Sequence, residues 1–315
     1  MTTSHLAFVF PGQGSQKIGM LADLAAAFPI VQQSFDEASE VLGYDLWERS
    51  QSGSQEQINL TECTQPLLLT ASVACWRVWQ ERAGARPALM AGHSLGEWSA
   101  LVCSGVVAFA DAVALVRQRG KFMQEAVPAG VGAMAAIIGL EDEAVSAACE
   151  KSQAGEVVAP VNFNSPGQVV IAGHSAAVER AMEACKSAGA KRALPLPVSA
   201  PFHTSLMRPA ADRLAELVNA TEFLAPQTPV IHNVHAQVES DPARIKALMI
   251  EQIYAPVLWV DCVNAMTAKG ATQLVECGPG KVLSGLAKRI DRNLSATSIE
   301  TPADFDAALA EINGQ

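Results

Sequence analysis

The five residues Gly92-His93-Ser94-Leu95-Gly96 constrain this chain more than any other stretch. Their spacing is that of a G-x-S-x-G elbow, where small residues on both sides permit a strained turn that lifts a serine hydroxyl between a strand and a helix. The flanks fit: residues 88–92 read as a short apolar strand, and residues 95–104 resume helical periodicity before stopping at Gly105. Ser94 is therefore the candidate nucleophile of an α/β chain. An ordinary glycine-rich turn capped by a serine would read the same way in isolation.

Around the elbow the pattern is strand and helix in alternation. A strand expected over residues 6–10 closes at Pro11-Gly12, and a helical region follows to about residue 42 with a break near Pro29. Residues 65–82 space Leu68, Leu69, Val73, Trp76 and Trp79 as a buried helix, and residues 111–124 give another. The pattern then changes to strand 134–140, helix 141–151, strand 157–164, strand 168–173, helix 176–188 and strand 192–198. That β-α-β-β-α-β order is the split βαβ of ferredoxin-like domains. A small domain is expected at 128–198, inserted in a larger one formed by 1–127 and 199–315. Strands over 229–234 and 272–276 belong to the larger domain, the second ending in Gly278-Pro279-Gly280 before a helix from Val282.

Composition narrows the function class. Half of the 315 residues are hydrophobic and 17% are charged, which suits a large packed core. A net charge of −10 and a pI near 5.1 argue against a nucleic-acid binder, which needs a basic face for phosphates. The seven cysteines show no paired or metal-ligand spacing and read as reduced thiols. The start MTTSHLAFVF has no basic segment leading into a long apolar one, and no run of about 20 apolar residues occurs, so a cytoplasmic chain without membrane spans is expected.

A serine hydroxyl is a poor nucleophile without a base in reach, and histidine suits neutral pH. Of six histidines, His5 is terminal, His93 adjoins the serine but points elsewhere on an elbow, His174 ends a strand, and His232 and His235 flank one. His203 remains, in Ser199-Ala200-Pro201-Phe202-His203, where the chain returns from the insertion. A structural imidazole is the competing reading, and spacing does not separate the two. Glu97, in the first turn after the elbow, reads as a structural carboxylate on the helix dipole.

Six motifs carry a resemblance: Pro11-Gly12-Gln13-Gly14-Ser15-Gln16, Gly92-His93-Ser94-Leu95-Gly96-Glu97, Arg119-Gly120-Lys121-Phe122-Met123, Asn164-Ser165-Pro166-Gly167, Ala200-Pro201-Phe202-His203 and Glu276-Cys277-Gly278-Pro279-Gly280. Together, nearly end to end and in the same order, they resemble the malonyl-CoA:acyl carrier protein transacylases of bacterial fatty-acid synthesis. The resemblance implies an α/β-hydrolase-like large domain with an inserted ferredoxin-like small domain. It implies Ser94 as nucleophile and His203 as general base and acid, the imidazole oriented by the backbone carbonyl of Gln252 and not by an acid. Gln13 and Leu95 would supply the backbone N–H groups of an oxyanion hole. Arg119 would bind the free carboxylate of the malonyl group, for which a guanidinium fork is suited. Phe202 and Met123 would shape acyl selectivity.

The same resemblance implies a coenzyme A thioester as substrate, no bound cofactor or metal, and an acidic acyl carrier protein as partner; with no obvious partner helix in the sequence, a monomer is expected. Lys191, Arg192, Lys281, Lys288 and Arg289 are candidates for a basic rim that meets the carrier. Trp98, where relatives often have tyrosine, and Leu258, where a polar residue is common, depart from the pattern and bear on pocket shape. Other readings of these residues are a loading enzyme for a polyketide synthase or malonate decarboxylase, a G-x-S-x-G hydrolase, and a non-catalytic module that binds a carrier protein.

Overall fold

Strand β1 (Thr2–Phe10) is apolar on both faces: Leu6, Phe8 and Phe10 enter one buried cluster, Ala7 and Val9 another. A strand buried on both sides belongs in the middle of a parallel sheet. In the computed structural model, which describes residues 2–198 and 200–313, β1 is that central strand. Ser199, which begins both the expected boundary and the loop before His203, lies outside the described residues.

Four more strands complete the parallel sheet, and four others form a second sheet. In chain order they are β2 (Arg86–Gly92), β3 (Gly132–Ile138), β4 (Val158–Ser165), β5 (Gln168–His174), β6 (Arg192–Pro195), β7 (Val230–Ile231), β8 (Gln273–Cys277) and β9 (Ser295–Ile299). The five-stranded sheet runs β7-β2-β1-β8-β9 and every pairing in it is parallel. The four-stranded sheet runs β4-β5-β3-β6 and is antiparallel throughout. With helices Asp142–Ser152 and Ser175–Ser187 it closes the β-α-β-β-α-β unit read from the sequence. The mixed α/β class with a separate antiparallel layer is thus as the sequence indicated.

The antiparallel sheet is sorted by strand alternation. Ala135 and Ile137 pack with Val145, Ala148, Val178 and Ala181 of its own two helices. Met134 faces the other way, into the cluster of the parallel sheet's helices. That second face roofs the cavity described below.

Some bounds differ from expectation. The helix expected from residue 65 begins four residues earlier (Thr61–Glu81), with Pro66 inside it and Thr64 Oγ1 donating back to the Ile58 carbonyl at 2.5 Å. β7 is two residues and not six, because after Ile231 the chain turns, Ala236 N–H donating to the His232 carbonyl at 2.9 Å. Strand β9 and the helices Pro242–Glu251 and Trp259–Ala268 had no sequence signal strong enough to be expected. Among the described residues no helix is long and apolar enough to cross a membrane.

Candidate active site

β1 and β2 end side by side, Phe10 level with Gly92, and the His93 N–H donates to the Phe10 carbonyl at 3.0 Å. The helix Leu95–Cys103 must start within one residue of that edge. Both elbow glycines are required by the crowding: a Cβ on Gly92 would sit 1.9 Å from the Gly96 backbone, and one on Gly96 would sit 2.0 Å from the Phe10 carbonyl oxygen. Ser94 between them has φ 51° and ψ −107°, an uncommon conformation for a residue with a side chain. Two side chains hold it there. Asn233 Oδ1 accepts from the Ser94 N–H at 2.8 Å, and Gln252 Nε2 donates to the Ser94 carbonyl at 2.9 Å.

Ser94 Oγ is 2.8 Å from His203 Nε2. His203 is itself left-handed (φ 63°) and 5% exposed. Its Nδ1 lies 2.8 Å from the Gln252 backbone carbonyl. A carbonyl only accepts, so the proton sits on Nδ1 and leaves Nε2 free to take the serine's. Gln252 caps the Pro242–Glu251 helix, where a terminal carbonyl has no partner within its own helix. Burial, then the nearby Arg119 charge, lowers the His203 pKa from 6.5 to about 3.

Arg119 lies on the Phe109–Glu125 helix and is 1% exposed. Its Nη1 donates to Gln65 Oε1 and its Nη2 to Gln252 Oε1, each at 2.9 Å, and Nη2 also reaches Ser94 Oγ at 3.4 Å. Burial lowers its pKa to about 10, opposed by the Glu97 charge, so it remains a cation at neutral pH. Nε has no partner among the described residues. Arg117 points the other way and donates to the Leu42 carbonyl at 3.0 Å.

These groups open on a cavity of about 290 Å³ between the two sheets. Gln13, Gln65, His93, Ser94, Arg119 and Met123 line one side; Met134, Ala136, Asn162, Asn164, Gln168 and Val170 of β3 to β5 line the other, with Phe202 and His203 at the return. Gln13, Phe202 and Met123 thus all face the cavity with Ser94. Leu95 is the first residue of the elbow helix and fully buried. Trp98 packs against Phe223 in the core, ring centres 6.3 Å apart, and Leu258 precedes the Trp259–Ala268 helix, both away from the cavity lining. The seven cysteines are free, and no cluster among the described residues has the makings of a metal site.

Residues 7–294 match the family model described as the acyl transferase domain. The chain belongs to the acyl transferase family. It is 60% identical over 308 residues to the malonyl CoA-acyl carrier protein transacylase of Salmonella typhimurium, across 98% of this chain and 100% of that protein. The fold matches an acyl carrier protein S-malonyltransferase from Vibrio cholerae with a TM-score of 0.95 and 60% identity, covering 97% of this chain and 100% of that one. It matches a malonyl-transacylase solved in complex with a type II PKS acyl-carrier protein with a TM-score of 0.97 and 57% identity, covering 98% and 100%.

Several residues at the centre of this acyl transferase carried no earlier expectation. Asn233 holds the elbow at both ends, its Nδ2 donating to the Gly92 carbonyl at 2.7 Å. Gln65 is an amide in an apolar helix, and Asn233 follows a parallel strand's end; both were available signals. His93 directs its Nε2 to Asn164 Oδ1 of β4 at 2.8 Å, in keeping with a ring that points elsewhere than Ser94, and it also lines the cavity. Glu97 has a structural place, as expected of it, but holds it through buried hydrogen bonds more than through the helix dipole. It is fully buried, with Oε1 2.7 Å from His232 Nδ1 and Oε2 accepting from Asn233 N–H at 3.0 Å and Gln252 Nε2 at 2.8 Å.

Proposed function

We propose that this acyl transferase moves a malonyl group from malonyl-CoA to the phosphopantetheine thiol of acyl carrier protein, in two displacements on Ser94 that supply fatty-acid synthesis. One observation carries the reading: in a single cavity Ser94 Oγ lies 2.8 Å from an imidazole nitrogen and 3.4 Å from a buried guanidinium. A nucleophile, a base and a cation within that reach favour an acyl group whose carboxylate lies one methylene beyond the reacting carbonyl.

In the first step His203 Nε2 takes the Ser94 proton as Oγ attacks the thioester carbon. The N–H groups of Gln13 and Leu95 hold the oxyanion. The carbon–sulfur bond breaks, the coenzyme A sulfur takes the proton back from His203, and malonyl-Ser94 remains. In the second step the carrier's thiol gives its proton to His203 and its sulfur attacks the ester, and Ser94 leaves with that proton. A dyad oriented by a carbonyl replaces the usual acid-oriented triad. Phe202 and Met123 border the space for the acyl group. Near-identity of length and 60% sequence identity with a protein named malonyl CoA-acyl carrier protein transacylase support the substrate and the carrier. In this reading the enzyme works in the cytoplasm as a monomer, with coenzyme A entering as the leaving group and no resident cofactor.

Mass spectrometry of the digested protein after incubation with malonyl-CoA checks it. A malonylated peptide containing Ser94 is expected, lost on addition of carrier protein and absent in Ser94→Ala. Retained transfer in Ser94→Ala would refute the nucleophile, and release of malonate without carrier at the same rate would favour a hydrolase. A second reading, loading of a type II polyketide carrier, is favoured by the relative solved with such a carrier. Rates with the two carriers compared side by side separate them.

A further inference from the structure

Glu97 is the fully buried carboxylate beneath Ser94, and neither displacement uses it. Its two oxygens face three nitrogens: His232 Nδ1, the Asn233 backbone N–H and Gln252 Nε2. His232 and Asn233 are fully buried as well. We propose that Glu97 is the positioning residue of the Arg119 carboxylate clamp, holding the Gln252 amide in the one orientation that presents the guanidinium to substrate and supplying the clamp's counter-charge. The inference rests on the function proposed above.

The argument is one of donors and acceptors. A primary amide fits its site in two orientations, oxygen and nitrogen exchanged. With Nε2 towards Glu97, Gln252 Oε1 meets Arg119 Nη2 at 2.9 Å. Flipped, the amide would set its N–H groups against the guanidinium's and its oxygen against the carboxylate, so that Arg119 would keep only Gln65 as amide acceptor and Glu97 only His232 and the Asn233 N–H. An ionised carboxylate only accepts, so Glu97 selects the first orientation. Gln252 Nε2 also donates to the Ser94 carbonyl, so clamp and elbow are set by the same amide.

Charge points the same way. A guanidinium 1% exposed needs a counter-charge, yet among the described residues no carboxylate bonds Arg119 directly. A carboxylate paired directly with Arg119 would compete with the substrate's. Placed two hydrogen bonds away, Glu97 compensates the cation and leaves the remaining N–H groups of the fork open.

Glu97→Gln keeps the volume and removes the charge. Ser94 acylation by malonyl-CoA and by acetyl-CoA is followed by mass in wild type, Glu97→Gln, Arg119→Ala and the double variant. In Glu97→Gln the KM for malonyl-CoA is expected to rise, so that the malonyl-to-acetyl ratio of kcat/KM falls about tenfold, as loss of a charged hydrogen bond would give. In the Arg119→Ala background the same substitution should change the ratio by less than about twofold, because no clamp is left to position. An unchanged ratio in Glu97→Gln, or an equal fall in both backgrounds, overturns the inference. If thermal melting shows that Glu97→Gln does not fold, Gln252→Met is read instead, since it keeps the carbonyl to His203 and removes the bridging amide. It should lower the ratio about as much, and an unchanged ratio overturns the inference equally. A wild type that takes no malonyl on Ser94 would bring down the proposed function instead, so the two failures are distinct.

Discussion

In the proposed mechanism His203 is the base of a serine whose backbone is strained, and its own backbone is strained as well, with φ 63° against 51° at Ser94. Strain at both partners fixes their approach at 2.8 Å without a third side chain to aim the imidazole. Protonation would disable the base, and burial and Arg119 both oppose it, with a pKa lowered to about 3. The sign follows directly: the neutral form persists as pH falls below 6.5, and activity is lost only as pH approaches the lowered value. The acid limb of kcat/KM for Ser94 acylation, measured with acetyl-CoA so that no substrate carboxylate intervenes, is expected to lie well below pH 6.5. Arg119→Ala removes the cause second only to burial and should move that limb to higher pH. A limb near 6.5 in wild type, unmoved by the substitution, would contradict this account of the base.

At the scale of elements, the elbow works because a helix begins against the end of β1. Gly96→Ala places a methyl 2.0 Å from the Phe10 carbonyl oxygen, and backbone is the atom that would have to move. Loss of about 3 kcal/mol in urea unfolding is expected, with acylation falling further than stability because Ser94 is displaced. Gly285→Ala is the internal contrast. It lies in the Val282–Ile290 helix with nothing within 4 Å of an added Cβ, so a gain of about 0.5–1 kcal/mol with unchanged acylation is expected. Equal effects from the two substitutions would show that close approach at the elbow does not matter. The glycine pattern made the strand–turn–helix legible in the sequence. The grip on it was not legible, because Asn233 and Gln252 lie 139 and 158 residues from Ser94.

For the whole molecule, the cavity exists only where the antiparallel sheet covers the ends of the parallel one. The same arrangement sorts the candidate docking cations. Arg289 Nη1 donates to Gln168 Oε1 at 2.7 Å, and Gln168 lines the cavity, which puts this cation at the rim. Lys191 and Arg192 are exposed at the start of β6 in the covering sheet. Lys281 and Lys288 line a separate depression of about 420 Å³ beside β9. If an acidic carrier docks at the rim, reversing the charge of Lys191, Arg192 and Arg289 should raise the KM for carrier protein about tenfold and steepen with lower salt, while acylation by malonyl-CoA is unchanged. Reversing Lys281 and Lys288 should do less. Transfer kinetics unaffected by the triple reversal would dismiss the rim.

Local chemistry determined a good deal unaided. Glycine spacing marked the elbow and Ser94, and alternating apolar runs marked the two sheets and the split βαβ, whereas His203, Arg119, Gln13 and Gln252 took their expected roles only from motifs that resemble a known family. Such features depend on neighbours a few residues apart, or on motifs that keep their residues together. What only the tertiary structure decided was the second use of polar side chains. Glu97 reads on its own as a structural carboxylate in a helix's first turn, and His93 as a neighbour of Ser94 that points elsewhere, with no sign of what either one meets. Burial makes the first an anchor for Asn233 and Gln252, and places the second on the cavity wall against Asn164. Whether a charge meets water or a buried donor depends on which distant segments cover it, and that is settled only when the two sheets close over the site.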